Sequence, residues 1–279
     1  MVTFRRVVSI LAVLLVVPLF ATAQINFPKS GYLVGVGDSV AAGEGSLPVT
    51  HGFVYQLYDR GVFGRTQDLD FSTIAIKGAM ASEVLAFQVP QVVCIRSPRI
   101  AVDPTVVVMT AGANDFGVRL LLWREANPGN PLPPVPVLDA WVEEIATIVA
   151  NATFALLVTG VDLTPVGGQA CPALGPDAKV LIGNYFGFPH PIPQIAQVID
   201  YLLAGFDAAL RDKLQGLIAL GKVGVVDTFS AFQGKKGVLL IEKRYGYDET
   251  DPFGFEMHLT NAGHSLIARE FEKAWQALQ

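Results

Sequence analysis

Four short blocks hold the residues whose types could do covalent chemistry. The segment Gly37-Asp38-Ser39-Val40-Ala41-Ala42-Gly43-Glu44-Gly45 follows directly on the apolar run GYLVGVG, Gly31 to Gly37. A serine in a tight strand-to-helix turn stands exposed, and small flanking residues let a substrate approach the backbone. A glycine, Gly78, lies in Ile76-Lys77-Gly78-Ala79-Met80, and an amide, Asn114, lies in Ala111-Gly112-Ala113-Asn114-Asp115. The fourth block is His258-Leu259-Thr260-Asn261-Ala262-Gly263-His264, read as opening the last helix. These types suit acyl transfer. A serine hydroxyl becomes nucleophilic when a neighbouring base accepts its proton. The tetrahedral oxyanion then needs donors set in advance around it. A dinucleotide fingerprint starting at Gly35 fails, because its sixth position is Val40 rather than glycine. The window Gly37-x-Ser39-x-Ala41 approaches the G-x-S-x-G elbow, yet that elbow normally follows several strands and this one follows the first.

The elements that must position these blocks alternate. Gly31 to Gly37 reads as a first strand, Ser72 to Ile76 as a weaker second, and Thr105 to Thr110 (TVVVMT) as a third. Lys179 to Gly183 (KVLIG) is a fourth and Val223 to Val226 a fifth. Runs apolar on both faces indicate strands covered on both sides, as in a parallel sheet. Between them, Leu138, Trp141, Val142, Ile145, Ile148 and Val149 recur at helical spacing. So do Ile195, Ile199, Leu202, Phe206 and Leu210, and finally Ile267, Phe271, Trp275 and Leu278. The expected fold class is α/β, a single three-layer α/β/α sandwich with about five parallel strands. Ligands of such sheets bind beyond the carboxyl ends of the strands, where the first three blocks fall. Asn127 to Pro136 (NPGNPLPPVP) reads as a stiff loop inside the domain.

The four blocks, in this order, resemble the SGNH hydrolases, the GDSL esterase/lipase superfamily. The resemblance runs from Gly37 to His264. It implies the strand order 2-1-3-4-5 and a carboxylic ester hydrolase without a cofactor. It makes Ser39 the nucleophile and His258 the general base. The backbone N–H groups of Ser39 and Gly78 and the side-chain amide of Asn114 become the oxyanion hole. An acyl-enzyme on Ser39 can be resolved by water or by another alcohol, so a carbohydrate deacetylase or an acyltransferase of the same fold stays open. A non-catalytic binding module would have lost Ser39, Asn114 or His258, and none is lost.

The chain departs from the family at the third triad member. The usual acid, three residues before the histidine, is replaced by Phe255. Glu256, two before it, is the first candidate to orient His258, and Asp251 is the next. A Ser-His dyad oriented by a backbone carbonyl is the third. The role needs only an acceptor on the far imidazole nitrogen.

Composition sets the outer bounds. Of 279 residues, 51% are hydrophobic and 16% charged, which excludes a disordered chain. Arg5 and Arg6, the apolar run Val7 to Phe20 and Ala21-Thr22-Ala23 read as a cleaved secretory signal over residues 1–23, leaving one hydrolase domain over 24–279. Secretion or a periplasmic location, and no membrane span after cleavage, follow as expectations. Net charge is −5; without Arg5 and Arg6 it becomes 18 basic against 25 acidic residues, near −7. No basic cluster tracks a phosphate backbone, so nucleic acid is not an expected partner. The expected partner is an ester substrate, lipid or small acyl, met by a monomer. Cys94 and Cys171 are expected to pair as a disulfide, given export. No histidine–cysteine spacing suggests a metal.

Other residues carry quieter expectations. Asp38 and Asp115 read as structural hydrogen-bonding groups of turn and loop. His264 is expected to pack rather than react, and His190 reads as a loop histidine. The sequon at Asn151 falls inside a helical pattern and carries no weight. Tyr185, Phe186 and Phe188 are expected near the site, tilting mildly toward a lipid-like acyl group. The segment Gly234 to Phe255 reads as a surface hairpin rather than a flap.

Overall fold

A computed structural model describes residues 31–65, 69–94, 105–166, 168–185, 193–234, 240–244 and 255–279. The expected signal segment, Asp251, Phe186, Phe188 and His190 lie outside the described residues. Nine strands are present among those described. β1 (Gly31–Gly37), β2 (Leu69–Thr73), β3 (Thr105–Thr110), β6 (Lys179–Gly183) and β7 (Val223–Val226) form one parallel sheet in the order β2-β1-β3-β6-β7. This is the 2-1-3-4-5 arrangement that the resemblance implied. β4 (Val161–Asp162) pairs with β5 (Ala170–Cys171), and β8 (Leu240–Arg244) pairs with β9 (Phe255–Leu259), both antiparallel.

The strands form where β-branched and apolar residues are continuous, and the continuity measures their burial. Every residue of β3 is buried, because helices cover both faces of the sheet. One helix layer is α1 (Phe53–Asp59) packed against α7 (Asn261–Ala277). The other is α2 (residues 81–94), α4 (Val135–Phe154) and α5 (Pro193–Ala219), packed in that order. The short α3 (Ala113–Ala126) sits at the carboxyl end of β3. A bidentate pair from Arg119 to Glu144 (2.7 and 3.0 Å) and an edge contact of Trp123 on Trp141 fasten it to α4. A last short helix, α6 (Thr228–Phe232), follows β7. The stripes expected on α5 and α7 supply Ile195, Ile199, Leu202, Phe206, Leu210, Ile267 and Phe271 to the core.

Two boundaries differ from expectation. The second strand runs Leu69–Thr73 rather than Ser72 to Ile76. It is an edge strand whose residues after Leu69 are only half-buried, so Asp70, Ser72 and Thr73 broke the apolar signal. Pairing continues past it, since Ile74 and Ile76 donate their N–H groups to Gly35 and Gly37. His258 lies in β9 rather than in the last helix. The N-cap is Thr260, whose hydroxyl accepts the Gly263 N–H at 3.1 Å, so α7 starts one residue later.

Helix α2 contains a π-helical stretch, Val84–Gln88, that ends two residues before Pro90. Proline lacks an N–H and crowds the carbonyl four residues back, and widening the turn relieves both. The helix Val135–Thr159 is, among the described residues, the one long and apolar enough to cross a membrane. Here half of it is buried within the domain, through Leu138, Val142, Ile145, Ala146 and Val149.

Cys94, the last residue of α2, is bonded to Cys171 in β5, with Cα atoms 5.2 Å apart. The pairing expected from the sequence is therefore present. It ties a helix end to the β4–β5 hairpin across 77 residues of chain. Cross-linking a loop of that length restricts the unfolded chain, so replacing both cysteines by serine is expected to lower the unfolding free energy by about 2–4 kcal/mol. Urea unfolding of the double variant beside the oxidised protein checks this; equal midpoints would contradict it.

Candidate active site

The parallel register lines up the strand ends. Gly37 pairs with Thr110, Thr110 with Gly183, and Gly183 with Val226. Ser39, Asn114 and Tyr185 therefore leave the sheet at one level, and Gly78 follows β2 on the same edge.

Ser39 is half-buried in a turn held on both sides of it. The Asp38 N–H donates to the Thr110 carbonyl (3.1 Å), and the Val40 N–H donates to Asp38 Oδ1 (3.0 Å). The neighbouring amides are thus engaged. The Ser39 N–H and hydroxyl take no hydrogen-bond partner among the described residues. Behind the turn, the Gln88 side chain accepts the Gly37 N–H (2.6 Å) and donates to the Gly37 carbonyl (2.9 Å). It stands in for a partner strand at the Gly37 N–H, beyond the end of β2.

Gly78 is the third residue of a turn closed by the Ala79 N–H on the Ile76 carbonyl (3.0 Å). Its φ is +80°, as type II turns require at that position, and a Cβ there would meet nothing within 4 Å. The glycine is demanded by conformation and not by space. Asn114 stands in the first turn of α3, with one amide N–H donated to the Ala79 carbonyl (2.9 Å). That bond ties Asn114 to the residue after Gly78 and leaves the second amide N–H for a ligand. Asp115 completes the joint: buried, it accepts the Ala81 N–H at the start of α2 (2.9 Å). Burial raises its pKa, while that N–H and Arg119 oppose the rise.

His258 is buried near the end of β9. The nucleophile loop lies directly on it. A Cβ on Gly45 would come within 2.8 Å of the His258 Cβ and 2.4 Å of the Leu259 carbonyl, so only glycine allows the approach. Position 256 pairs with Lys243 across the hairpin and falls on the same face of β9 as position 258, by the alternation of a strand.

His264 packs, as expected. Its ring is fully buried against Phe53; Nδ1 accepts the Phe53 N–H (3.3 Å), and Nε2 lies 3.0 Å from the Glu44 carbonyl, to which it donates. Asp38 is also structural. Its Oδ1 accepts the Thr110 hydroxyl (2.9 Å) besides the Val40 N–H, and its Oδ2 accepts the Tyr185 hydroxyl. Burial pushes its pKa up to about 6 against those donors. Tyr185 lies next to the site, as expected, but it is buried with its hydroxyl on Asp38, so it lends no support to a lipid-like acyl group. Sequence reasoning missed Gln88 and Thr110. Gln88 could have been found as a polar side chain within the apolar run of α2. Among the described residues no cluster of His, Cys, Asp and Glu could hold a metal.

No protein-family model matches the chain, and no curated protein matches its sequence. Solved structures do match its fold. Phospholipase A1 from Streptomyces albidoflavus NA297 superposes with a TM-score of 0.57 at 18% identity, over 90% of this chain and 100% of that one. A lipase from a goat rumen metagenome gives 0.54 at 18%, over 88% and 97%. An extracellular lipase from Streptomyces rimosus gives 0.50 at 17%, over 90% and 100%. At these identities the likeness is one of fold. The fold is the one that these two lipases and this phospholipase share.

Two predictions follow from this geometry. Gly78→Ala strains a positive-φ residue by about 1–2 kcal/mol, or turns its N–H away. The kcat on a soluble ester is expected to fall about a hundredfold with KM little changed; a kcat within threefold of the parent would contradict the donor role. The second concerns His264, whose pKa burial lowers to about 4, the Glu44 carbonyl opposing and nearby His258 adding to the fall. The neutral ring is favoured in the fold. Its contribution is complete above the unfolded value of about 6.5 and is lost as pH falls through 4, about 3 kcal/mol in all. Asp38, raised, acts in the opposite direction as pH rises through 6. The stability gap between the parent and His264→Gln should therefore narrow by about 3 kcal/mol from pH 7.5 to 4. Urea titrations at the two pH values measure it, and a constant gap would refute the assignment.

Proposed function

We propose that this chain is an exported serine ester hydrolase working through a Ser39 acyl-enzyme. The reading is supported by the half-buried Ser39, Gly78 and Asn114 lying just beyond the carboxyl ends of the strands, with the Gly45 end of the Ser39 loop packed on the buried His258. Ser39 Oγ attacks the ester carbonyl, and His258 takes its proton. The carbonyl oxygen, now an anion, accepts from the N–H groups of Ser39 and Gly78 and from the free amide N–H of Asn114, each worth about 2.7–4 kcal/mol of barrier. His258 returns the proton to the leaving alcohol. Water then repeats the sequence on the acyl-enzyme and restores Ser39.

Glu256 is proposed to orient His258, supported by its place on the same strand face. Export is supported by the basic-then-apolar segment at residues 5–23 and by the disulfide, which persists in oxidising compartments. The substrate is proposed to be a carboxylic ester. The solved neighbours named as lipases and a phospholipase support an ester, and nothing in this chain narrows the acyl group further.

Hydrolysis of p-nitrophenyl esters from acetyl to palmitoyl, by the chain from Gln24 and by its Ser39→Ala variant, tests the reading. Turnover by the parent and a loss of at least about a thousandfold in the variant are expected. Equal turnover by both would remove Ser39 from the mechanism.

A further inference from the structure

The segment that carries Ser39 is held at each end by a side-chain amide. At Gly37 the Gln88 side chain accepts the N–H and donates to the carbonyl (2.6 and 2.9 Å). At Leu47 the Asn261 side chain does the same, accepting the N–H and donating to the carbonyl, both at 2.9 Å. Among the described residues the Leu47 N–H and carbonyl have no other hydrogen-bond partner. Such a pair needs a donor and an acceptor side by side, which an amide carries and a carboxylate does not. The second N–H of Asn261 Nδ2 is left for His51 Nδ1, 3.2 Å away.

The clamp joins two segments that the chemistry must hold together. Asn261 opens α7 three residues after His258, and Leu47 comes eight residues after Ser39. Both connecting stretches are braced. The N–H groups of Ala42, Gly43, Glu44 and Ser46 close successive turns on the carbonyls of Asp38, Val40, Ser39 and Gly43, at 2.9–3.2 Å. On the other side Thr260 caps α7 through the Gly263 N–H, and its carbonyl accepts the His264 N–H (2.9 Å). A shift of Leu47 against Asn261 is therefore a shift of the Ser39 loop against the strand that carries His258. His264 braces this loop from the buried side, at the Glu44 carbonyl; Asn261 holds its exposed end. Water can satisfy exposed groups at little cost, so the two bonds contribute little to overall stability. What they restrict is where the loop sits.

We propose that Asn261 is a positioning residue that sets the Ser39 loop against the segment carrying His258. The proposal rests on the hydrolase reading above. Proton transfer from Ser39 needs base and hydroxyl within hydrogen-bond reach, and small misplacements cost rate steeply. Releasing the clamp should lower turnover and leave substrate binding little changed.

The test compares the parent, Asn261→Ala, Asn261→Asp and His51→Ala on p-nitrophenyl acetate. Active sites are counted by complete reaction with a p-nitrophenyl phosphonate, so unfolded protein drops out of the rate. Alanine is a strong helix former at the exposed start of α7, so Asn261→Ala is expected to fold. Its kcat per titrated site is expected to fall at least about fivefold, the scale of one net hydrogen bond, with KM within about twofold. Asn261→Asp keeps an acceptor for the Leu47 N–H but loses the donor to the carbonyl, and its per-site kcat should fall as well. His51→Ala leaves both Leu47 bonds in place and should stay within twofold of the parent. A per-site kcat for Asn261→Ala within twofold of the parent overturns the proposal, and so does an equal fall in His51→Ala. If Asn261→Ala yields no titratable sites, Asn261→Asp decides: a lowered per-site kcat supports the clamp and an unchanged one overturns it. Turnover that survives Ser39→Ala is a different result, which strikes at the hydrolase reading itself.

Discussion

The buried carboxylate of Asp38 is the constraint from which the site geometry descends. Taking a carboxylate out of water is costly unless donors replace the hydration shell. Asp38 receives them from its own turn, from β3 and from the end of β6. Each donor is fixed by something else: Val40 by the turn itself, Thr110 by a fully buried strand, and Tyr185 by the neighbouring Asn184, whose Oδ1 accepts the Thr228 N–H. The carboxylate can be satisfied only if the ends of the three strands sit in one arrangement. That arrangement sets Ser39 in the turn directly after the buried carboxylate. The rise of its pKa to about 6 shows that the donors offset burial only in part.

The same economy of buried polar groups operates on the other side of β1. Beyond β2 the Gly37 carbonyl still accepts the Ile76 N–H, and a Gly37 N–H left unmet in the core would be destabilising. Gln88 accepts that N–H and adds a second donor to the carbonyl, and it arrives there from the π-helical stretch ahead of Pro90. A proline that disturbs a helix and a glutamine in an apolar run look like defects when taken singly. Together they close the sheet beside the nucleophile. Local irregularity of this kind concentrates at functional sites.

The central architecture was legible because burial on both faces leaves a plain trace. TVVVMT and KVLIG admit no other reading than covered strands, and both are strands here. The edge strand was misplaced because half-exposure mixes Asp70, Ser72 and Thr73 into it. Ser39, Gly78 and Asn114 could be singled out because they follow strand ends, and together with His258 because the order of the four blocks resembles a known family. What spacing could not show was the Tyr185 hydroxyl on Asp38, since that contact arises only when β6 docks beside β3. For the same reason Tyr185, expected near the site, could not be foreseen as a buried hydrogen-bonding group.

One consequence concerns the two histidines of the last block. Ser39, Gly78 and Asn114 are carried by the central sheet, whereas His258 is carried by the separate β8–β9 hairpin. Base and nucleophile therefore need a joint of their own. His264 supplies it: from α7 its ring reaches the Glu44 carbonyl in the nucleophile loop and the Phe53 N–H at the start of α1. The Glu44 N–H in turn donates to the Ser39 carbonyl at 2.9 Å. An imidazole held by both nitrogens has one tautomer and no freedom to exchange protons. His264 fits a fastening role for the reason that disqualifies it from catalysis, and His258, six residues earlier on the strand that touches Gly45, is the histidine proposed as the base.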